Sequence, residues 1–150
     1  MPDSQIPESI LKIEALLRHV AFIIKKRGRD IIVDFGITTP QFHALLALRD
    51  SPNMTMGELC EKLFLACSTA TDLIDRMEKN GFLERNRDTQ DRRVIRLAIT
   101  EKGREVISEV VAARRRYVAS MLEKLSSTEI EQLGTSLDKL HSLMVQEKVT

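Results

Sequence analysis

TMGELCEKLFLACSTATDLIDRMEKNGFLERNRDTQDRRVIRLAITEKG, residues 55–103, is the stretch whose reading decides the fold. Thr55 and Glu58 have the spacing of a capping box, in which the hydroxyl takes the amide of Glu58 and the carboxylate reaches back. Leu59, Leu63 and Phe64 give the short helix that follows an apolar face. Phe64 to Cys67 reads as a tight turn, and Ser68 as the N-cap of a second helix. In that helix Ala70, Leu73, Ile74 and Met77 recur at the spacing of one buried face. Asn80-Gly81 closes it with residues that tolerate left-handed backbone. The hydrophobic period then drops from 3.6 to 2. Phe82 to Arg87 forms one strand, and in Val94 to Ile99 the alternation of Ile95, Leu97 and Ile99 marks a half-buried second strand. Asp88 to Asp91 is the polar turn between them, and Thr100 caps another helix. Helix, turn, helix and charged hairpin in this order make a winged helix-turn-helix, a device for gripping duplex DNA.

The major groove of DNA admits an α-helix, and a helix-turn-helix places its second helix there, braced by the first. The second helix is expected over about Thr69 to Asn80. Ser68, Thr69 and Thr71 at its N-terminal end can bond phosphate or base edges, and the free amides there favour phosphate. Arg76 and Lys79 are the cations of the helix. Asp75 is expected to pair with a nearby cation, whereas Asp72 has no obvious partner. The hairpin carries five arginines (85, 87, 92, 93, 96) against Glu84, Asp88 and Asp91, a net of +2 over thirteen residues; the whole chain has +1. Arginine suits both minor-groove insertion and bidentate phosphate contact. Arg85, Arg87, Arg92 and Arg93 are therefore candidate DNA contacts. Asp91, two positions before Arg93, can bridge to it and fix its direction. The competing reading is a solvated tip, charged for solubility.

Outward from this centre, Thr39-Pro40 reads as an N-cap followed by proline at the first helical position, opening a helix that turns Phe42, Leu45, Leu46 and Leu48 inward. Residues 8–35 read as one long helix, with Ile10, Ile13, Leu17, Val20, Ile24 and Ile31 in 3,4 spacing, Gly28 as a weak point, and Gly36 as its stop. A second long helix is expected over 101–125. Ser126 to Glu129 restarts the chain with another capping box, and Ile130, Leu133, Leu137, Leu140 and Met144 fall on strict 3,4,3,4 spacing. The arms could be ordinary amphipathic helices on a core. The economical alternative is that they pair with the same arms of a second chain.

The 150 residues, 43% apolar and 30% charged, suit one soluble domain with a real core. No apolar run is long enough for a bilayer span, and the N-terminus lacks a basic segment followed by an apolar one, so a cytoplasmic protein is expected. Two cysteines, Cys60 and Cys67, make neither a disulfide framework nor a zinc spacing. His19, His43 and His141 are scattered, and no nucleotide loop or nucleophile motif is present, so neither an enzyme nor a metal or cofactor protein is expected.

Taken together, these pieces resemble the MarR family of regulators. Thr39-Pro40-Gln41-Phe42 matches the opening of its second helix and Gly57-Glu58-Leu59 that of its third. Asp75 to Leu83 matches the close of the recognition helix, Asp91-Arg92-Arg93 the wing, and Leu97 to Gly103 the exit from it. The resemblance runs from about Ile10 to Met144. It implies a mainly α fold with a small β-hairpin wing: a single domain over 1–150, a DNA-binding lobe over 37–100, and dimerisation helices over 8–36 and 101–148. It further implies a homodimer of triangular outline that binds double-stranded DNA at a short inverted repeat, usually as a repressor. Arg93 corresponds to the family's wing arginine, with Asp91 as its orienting partner. Asp72 departs from the basic or small residues often found there, so the operator sequence does not carry over.

Such regulators release DNA on meeting a ligand or an oxidant. The resemblance places the effector pocket where the first, second and fifth helices meet the lobe, a region that includes Arg18, His19, Phe42 and His43. The family's one-cysteine peroxide sensors carry a cysteine near the start of the first helix, and its urate-responsive members a tryptophan in that helix; this chain has neither. Cys67, just before the recognition helix where amide dipoles favour a thiolate, is the candidate redox site, while Cys60 reads as a small buried filler. Ile10, Ile13, Leu17, Leu133, Leu137, Leu140 and Met144 are the candidate dimerisation residues. The alternative function is a winged-helix module for protein–protein assembly with weak, non-specific DNA affinity.

Overall fold

The computed structural model of the protein describes residues 3–147. The outermost positions of the expected 1–150 span, including residue 148 of the expected C-terminal arm, lie outside them. After a short 3-10 turn at Asp3–Gln5 come α1 (Glu8–Asp34), α2 (Thr39–Asp50), α3 (Met56–Leu63), α4 (Cys67–Lys79), β1 (Leu83–Arg87), β2 (Ile95–Ile99), α5 (Glu101–Leu122) and α6 (Ser127–Glu147). The chain divides into two compact units, the first ending at Arg114 within α5 and the second beginning at Arg115.

In the first unit, α1 starts after Pro7, whose carbonyl accepts the amides of Ile10 and Leu11 at 2.9 and 3.2 Å. The helix runs through Gly28 without a break. Gly28 is buried, and a Cβ there would meet the Arg114 guanidinium at 3.1 Å, so close approach explains a glycine in mid-helix. At α2 the cap lies one residue earlier than expected. Thr38, not Thr39, is the N-cap: its Oγ1 accepts the Gln41 amide at 3.2 Å and its own amide donates to Gln41 Oε1 at 3.0 Å. Only Thr38 has a Gln three residues on, which closes the reciprocal box and satisfies a Gln41 that is 7% exposed.

Thr55 caps α3 through its hydroxyl, which accepts the Glu58 amide at 3.2 Å. The helix ends at Phe64 in the left-handed region (φ 54°), where a bulky residue costs about 1–2 kcal/mol. The Leu65 amide then closes on the Cys60 carbonyl at 3.1 Å. This tight exit starts α4 earlier than its hydroxyl-bearing residues suggest. The N-cap is Ala66, without a side-chain cap, and Ser68 lies inside the first turn instead of capping it. α4 ends at Asn80, followed by Gly81 at φ 80°.

β1 and β2 pair antiparallel with Leu83 opposite Ile99 and Arg85 opposite Leu97. The amide of Leu97 points away from β1 and donates to the Met54 carbonyl at 2.8 Å, tying the hairpin to the α2–α3 loop. The core of this unit is formed by Phe42, Leu45, Leu48, Leu59, Ile74, Met77, Leu83, Leu97 and Val110, all under 2% exposed. Each such side chain contributes roughly 1.5–3 kcal/mol. α5 begins against the hairpin: a Cβ on Gly103 would strike the Phe82 carbonyl.

In the second unit the Ser126 box forms in both directions, the Glu129 amide donating to Ser126 Oγ at 3.1 Å and the Ser126 amide to Glu129 Oε1 at 3.0 Å. α5 ends at Leu122, three residues before the expected stop. No residue of α6 is buried. Among the described residues no single helix is long and apolar enough to cross a membrane.

Candidate nucleic-acid interface

Three elements carry the site: α4, the hairpin, and the loop before α3 that braces them. Ser68, Thr69, Arg76 and Lys79 are all exposed on α4. Thr71 is exposed as well, but its hydroxyl donates to the Cys67 carbonyl at 2.8 Å and keeps only its lone pairs for a ligand. Buried Ala70, Ile74 and Met77 fix which face of α4 looks outward. Asp72 lines a groove of about 570 Å3 beside α4 together with Thr69, Arg76, Thr38 and Gln41.

The tip of the hairpin is organised by a relay of carboxylates. Arg93 Nε and Nη2 donate to the two oxygens of Asp91 at 3.1 and 3.2 Å, and the Arg93 amide donates to Asp91 Oδ1 at 3.1 Å. The Asp91 amide donates to Asp88 Oδ2 at 3.1 Å. Asp88 Oδ1 accepts from Arg96 Nε at 3.0 Å, and Arg96 Nη1 reaches the Asn53 carbonyl at 3.0 Å. The Arg93 side chain, 91% exposed, is thus held in direction while its remaining guanidinium protons face solvent. Hydrogen bonds from Arg93 hold the Asp91 carboxyl below the usual range, and those from Arg96 and the Asp91 amide do the same for Asp88. Arg87 and Arg92 are also exposed.

Arg85 has a different setting. Its Nη2 donates to Asp75, its Nη1 to Glu78 Oε1 at 2.9 Å, and its amide to Glu78 Oε2 at 3.1 Å. Its side chain is only 24% exposed. Asp75 thus finds its cation on the first strand of the wing, and Arg96 is absorbed in the brace at the other edge.

The four residues expected around an effector have different settings. Arg18 is exposed and pairs with Glu14 at 3.0 Å, one turn away, and His19 is exposed. His43 opens on a shallow groove with Thr39, Pro40, Leu63 and Leu65. Phe42 is 1% exposed and lies under the Arg114 guanidinium, 5.0 Å from ring centroid to Cζ. Arg114 is the residue that sequence reading missed; nothing distinguishes it from its neighbours in an Arg-Arg-Arg run. Its Nε is buried without a hydrogen-bond partner. Cys67 is exposed and Cys60 buried, and burial, then the nearby Cys67 thiol, pushes the Cys60 thiol up. Among the described residues no cluster of three or more His, Cys, Asp or Glu side chains could hold a metal.

The geometry is that of a recognition helix and a wing held in one frame, and known proteins share it. Residues 37–95 match the model of the MarR family. The chain is 46% identical over 137 residues to the uncharacterized HTH-type transcriptional regulator YsmB of Bacillus subtilis, covering 91% of this chain and 94% of that one. It is 30% identical to the transcriptional repressor MprA of Escherichia coli, covering 93% and 81%. Among solved structures, a MarR family protein from Bacillus stearothermophilus superposes with a TM-score of 0.73 at 44% identity, covering 93% of this chain and 99% of that one. With recognition helix, wing and whole-length similarity in agreement, the chain belongs to the MarR family of DNA-binding transcription regulators.

Proposed function

We propose that the protein is a homodimeric repressor of a short inverted repeat. α4 enters a major groove with Ser68, Thr69, Thr71, Arg76 and Lys79 at phosphates and base edges, while Arg87, Arg92 and Arg93 of the wing engage the neighbouring backbone or minor groove. The observation that carries this reading is Arg93, which is both 91% exposed and fixed through two nitrogens by Asp91. A tip charged only for solubility has no need of a relay back to Asn53. Two-fold pairing is supported by apolar side chains left open on both arms. Ile10, Ile13 and Leu17 on α1 are 40–54% exposed, and Leu133, Leu137, Leu140 and Met144 on α6 are 36–60% exposed. A second copy would cover them, and half-sites about one helical turn apart would follow.

Release is assigned to a small-molecule effector. Its site is placed where α1, α2 and the start of α5 meet, a region that includes Arg18, His19, Phe42 and His43, with the Arg114 guanidinium over the Phe42 ring. Oxidation of the exposed Cys67 is the minor alternative; unchanged peroxide sensitivity of operator binding in Cys67→Ser would remove it.

The deciding experiment incubates the purified protein with fragmented DNA of its own genome and sequences what is retained, with Arg93→Ala in parallel. The expected result is a short inverted repeat near promoters, bound about tenfold to a hundredfold more weakly by Arg93→Ala. Retention of nothing selective by the unaltered protein, with a flat salt dependence, would favour a protein–protein assembly module instead.

A further inference from the structure

We propose that Arg85 is a positioning residue that locks the recognition helix to the wing and offsets the helix's own carboxylates, and that it makes no phosphate contact of its own. The inference rests on the DNA-binding reading above and goes one step further into how that surface is built.

The argument begins with the ladder. The Asp88 amide donates to the Val94 carbonyl and the Thr100 amide to the Phe82 carbonyl, so the hydrogen-bonded pairs of this hairpin are those at even positions of β1. Arg85, opposite Leu97, is a non-hydrogen-bonded position. Its amide points away from β2 to the outer edge of a two-stranded sheet, where it would be an open donor. Glu78, in the last turn of α4, closes that edge. One carboxylate oxygen takes the Arg85 amide at 3.1 Å and the other takes Nη1 of the same residue at 2.9 Å. Asp75, one turn earlier on α4, takes Nη2. A single residue of the wing is therefore held at its backbone and at both guanidinium ends by two successive turns of the helix. No other described wing arginine reaches α4 in this way: Arg93 turns to Asp91, and Arg96 to Asp88 and Asn53.

Charge points the same way. α4 contains Asp72, Asp75 and Glu78 against Arg76 and Lys79, a formal net of −1 on the element expected to meet phosphate. Arg85 brings that surface to neutrality from the strand behind. A guanidinium already engaged with two carboxylates and 24% exposed has little left to offer a phosphate, whereas Arg93 at 91% has much. The two arginines thus divide the work: one reaches out, and the other sets the separation and tilt between the helix that enters one groove and the tip that contacts the next.

The test measures operator affinity against salt for the unaltered protein, Arg85→Ala, Glu78→Ala, the double variant and Arg93→Ala. Loss of a phosphate contact lowers the salt slope by about one, the expectation for Arg93→Ala. Arg85→Ala is expected to weaken binding about tenfold with the slope retained; a slope lowered like that of Arg93→Ala would overturn the proposal. Glu78→Ala removes a negative charge from a DNA-facing helix, and simple Coulomb attraction would then tighten binding. The clamp requires the opposite sign, and the double variant no weaker than Arg85→Ala alone; tighter binding by Glu78→Ala would sink the idea. In the DNA-free protein, hydrogen exchange of the Arg85 amide should accelerate about tenfold in Glu78→Ala, the loss of one hydrogen bond. An unchanged rate would refute the clamp whatever the DNA result. Should the unaltered protein select no DNA, the regulator reading fails, and the amide measurement still decides whether the clamp exists.

Discussion

The lobe from Ile37 to Val110 seals a core of its own, whereas α6 and α1 up to Ile24 leave apolar faces open. In the lobe, Phe42, Leu45, Leu59, Ile74 and Leu97 are sealed, and Arg85, Arg93 and Arg96 of the wing find carboxylate partners within it. On α1, residues from Ile10 to Ile24 leave nine large apolar side chains open, and α6 buries none of its residues. The same chain therefore contains one region whose stability is internal and another whose apolar surface awaits cover. Apolar area costs roughly 25 cal/mol for each Å2 left in water, so arms of this kind gain by pairing, as the proposed dimer requires. The lobe carries the DNA-facing chemistry, and on the proposed reading the arms would recruit the second copy that turns one weak half-site contact into a strong double one.

The comparison is broken most sharply by charging the arms. Leu137→Glu with Leu140→Glu should yield a monomer in sedimentation and cut operator affinity about 100-fold or more, because the two half-sites no longer bind as one. A dimer of unaltered affinity would mean that α6 is not a partner surface. The lobe is probed by Phe42→Ala, which should destabilise the protein by about 3–5 kcal/mol in denaturant unfolding. A loss under 1 kcal/mol would show that the lobe core is not the seat of stability.

The smallest effect expected concerns the wing tip. Asp88 and Asp91 are depressed by their arginine partners, so their contribution is present above the ordinary carboxylate range and is lost as pH falls through their lowered values. The order of the wing, followed by the Arg93 amide signal, should stay constant from neutral pH down to about pH 4 and loosen only below it. Loosening near pH 6 would mean that another group holds the tip.

Much of this was legible in sequence because local rules coincide with the outcome. The Asn80-Gly81 stop, the period-2 strands and the Ser126 box need only near neighbours. Elsewhere two local signals compete. Thr38 and Thr39 both resemble a cap, and Gln41 decides for Thr38 by completing the box. Ser68 has the better cap chemistry, yet the left-handed Phe64 exit starts α4 at Cys67. The arginines of the wing are alike in sequence. Five stand in thirteen residues, and which are spent on the frame depends on strand register and on which face of α4 lies opposite. Composition carries neither. Arg114, with its buried Nε above Phe42, is invisible for the same reason.

The joint where α4 ends has a mechanical meaning. Thr100 donates to the Gly81 carbonyl at 2.6 Å and caps the Gly103 amide, Lys102 reaches the Asn80 carbonyl at 2.7 Å, and Gly103 sits against Phe82. The recognition helix, the root of the wing and the start of α5 are therefore welded at one point. The thirteen residues of α4 form a lever about 18 Å long from that weld. A tilt of only about 5° there sweeps the far end of α4 through about 1.6 Å, enough to spoil hydrogen bonds that fail beyond a few tenths of an ångström. A small rotation of that joint would therefore be felt most at the Cys67 end of α4, farthest from the weld.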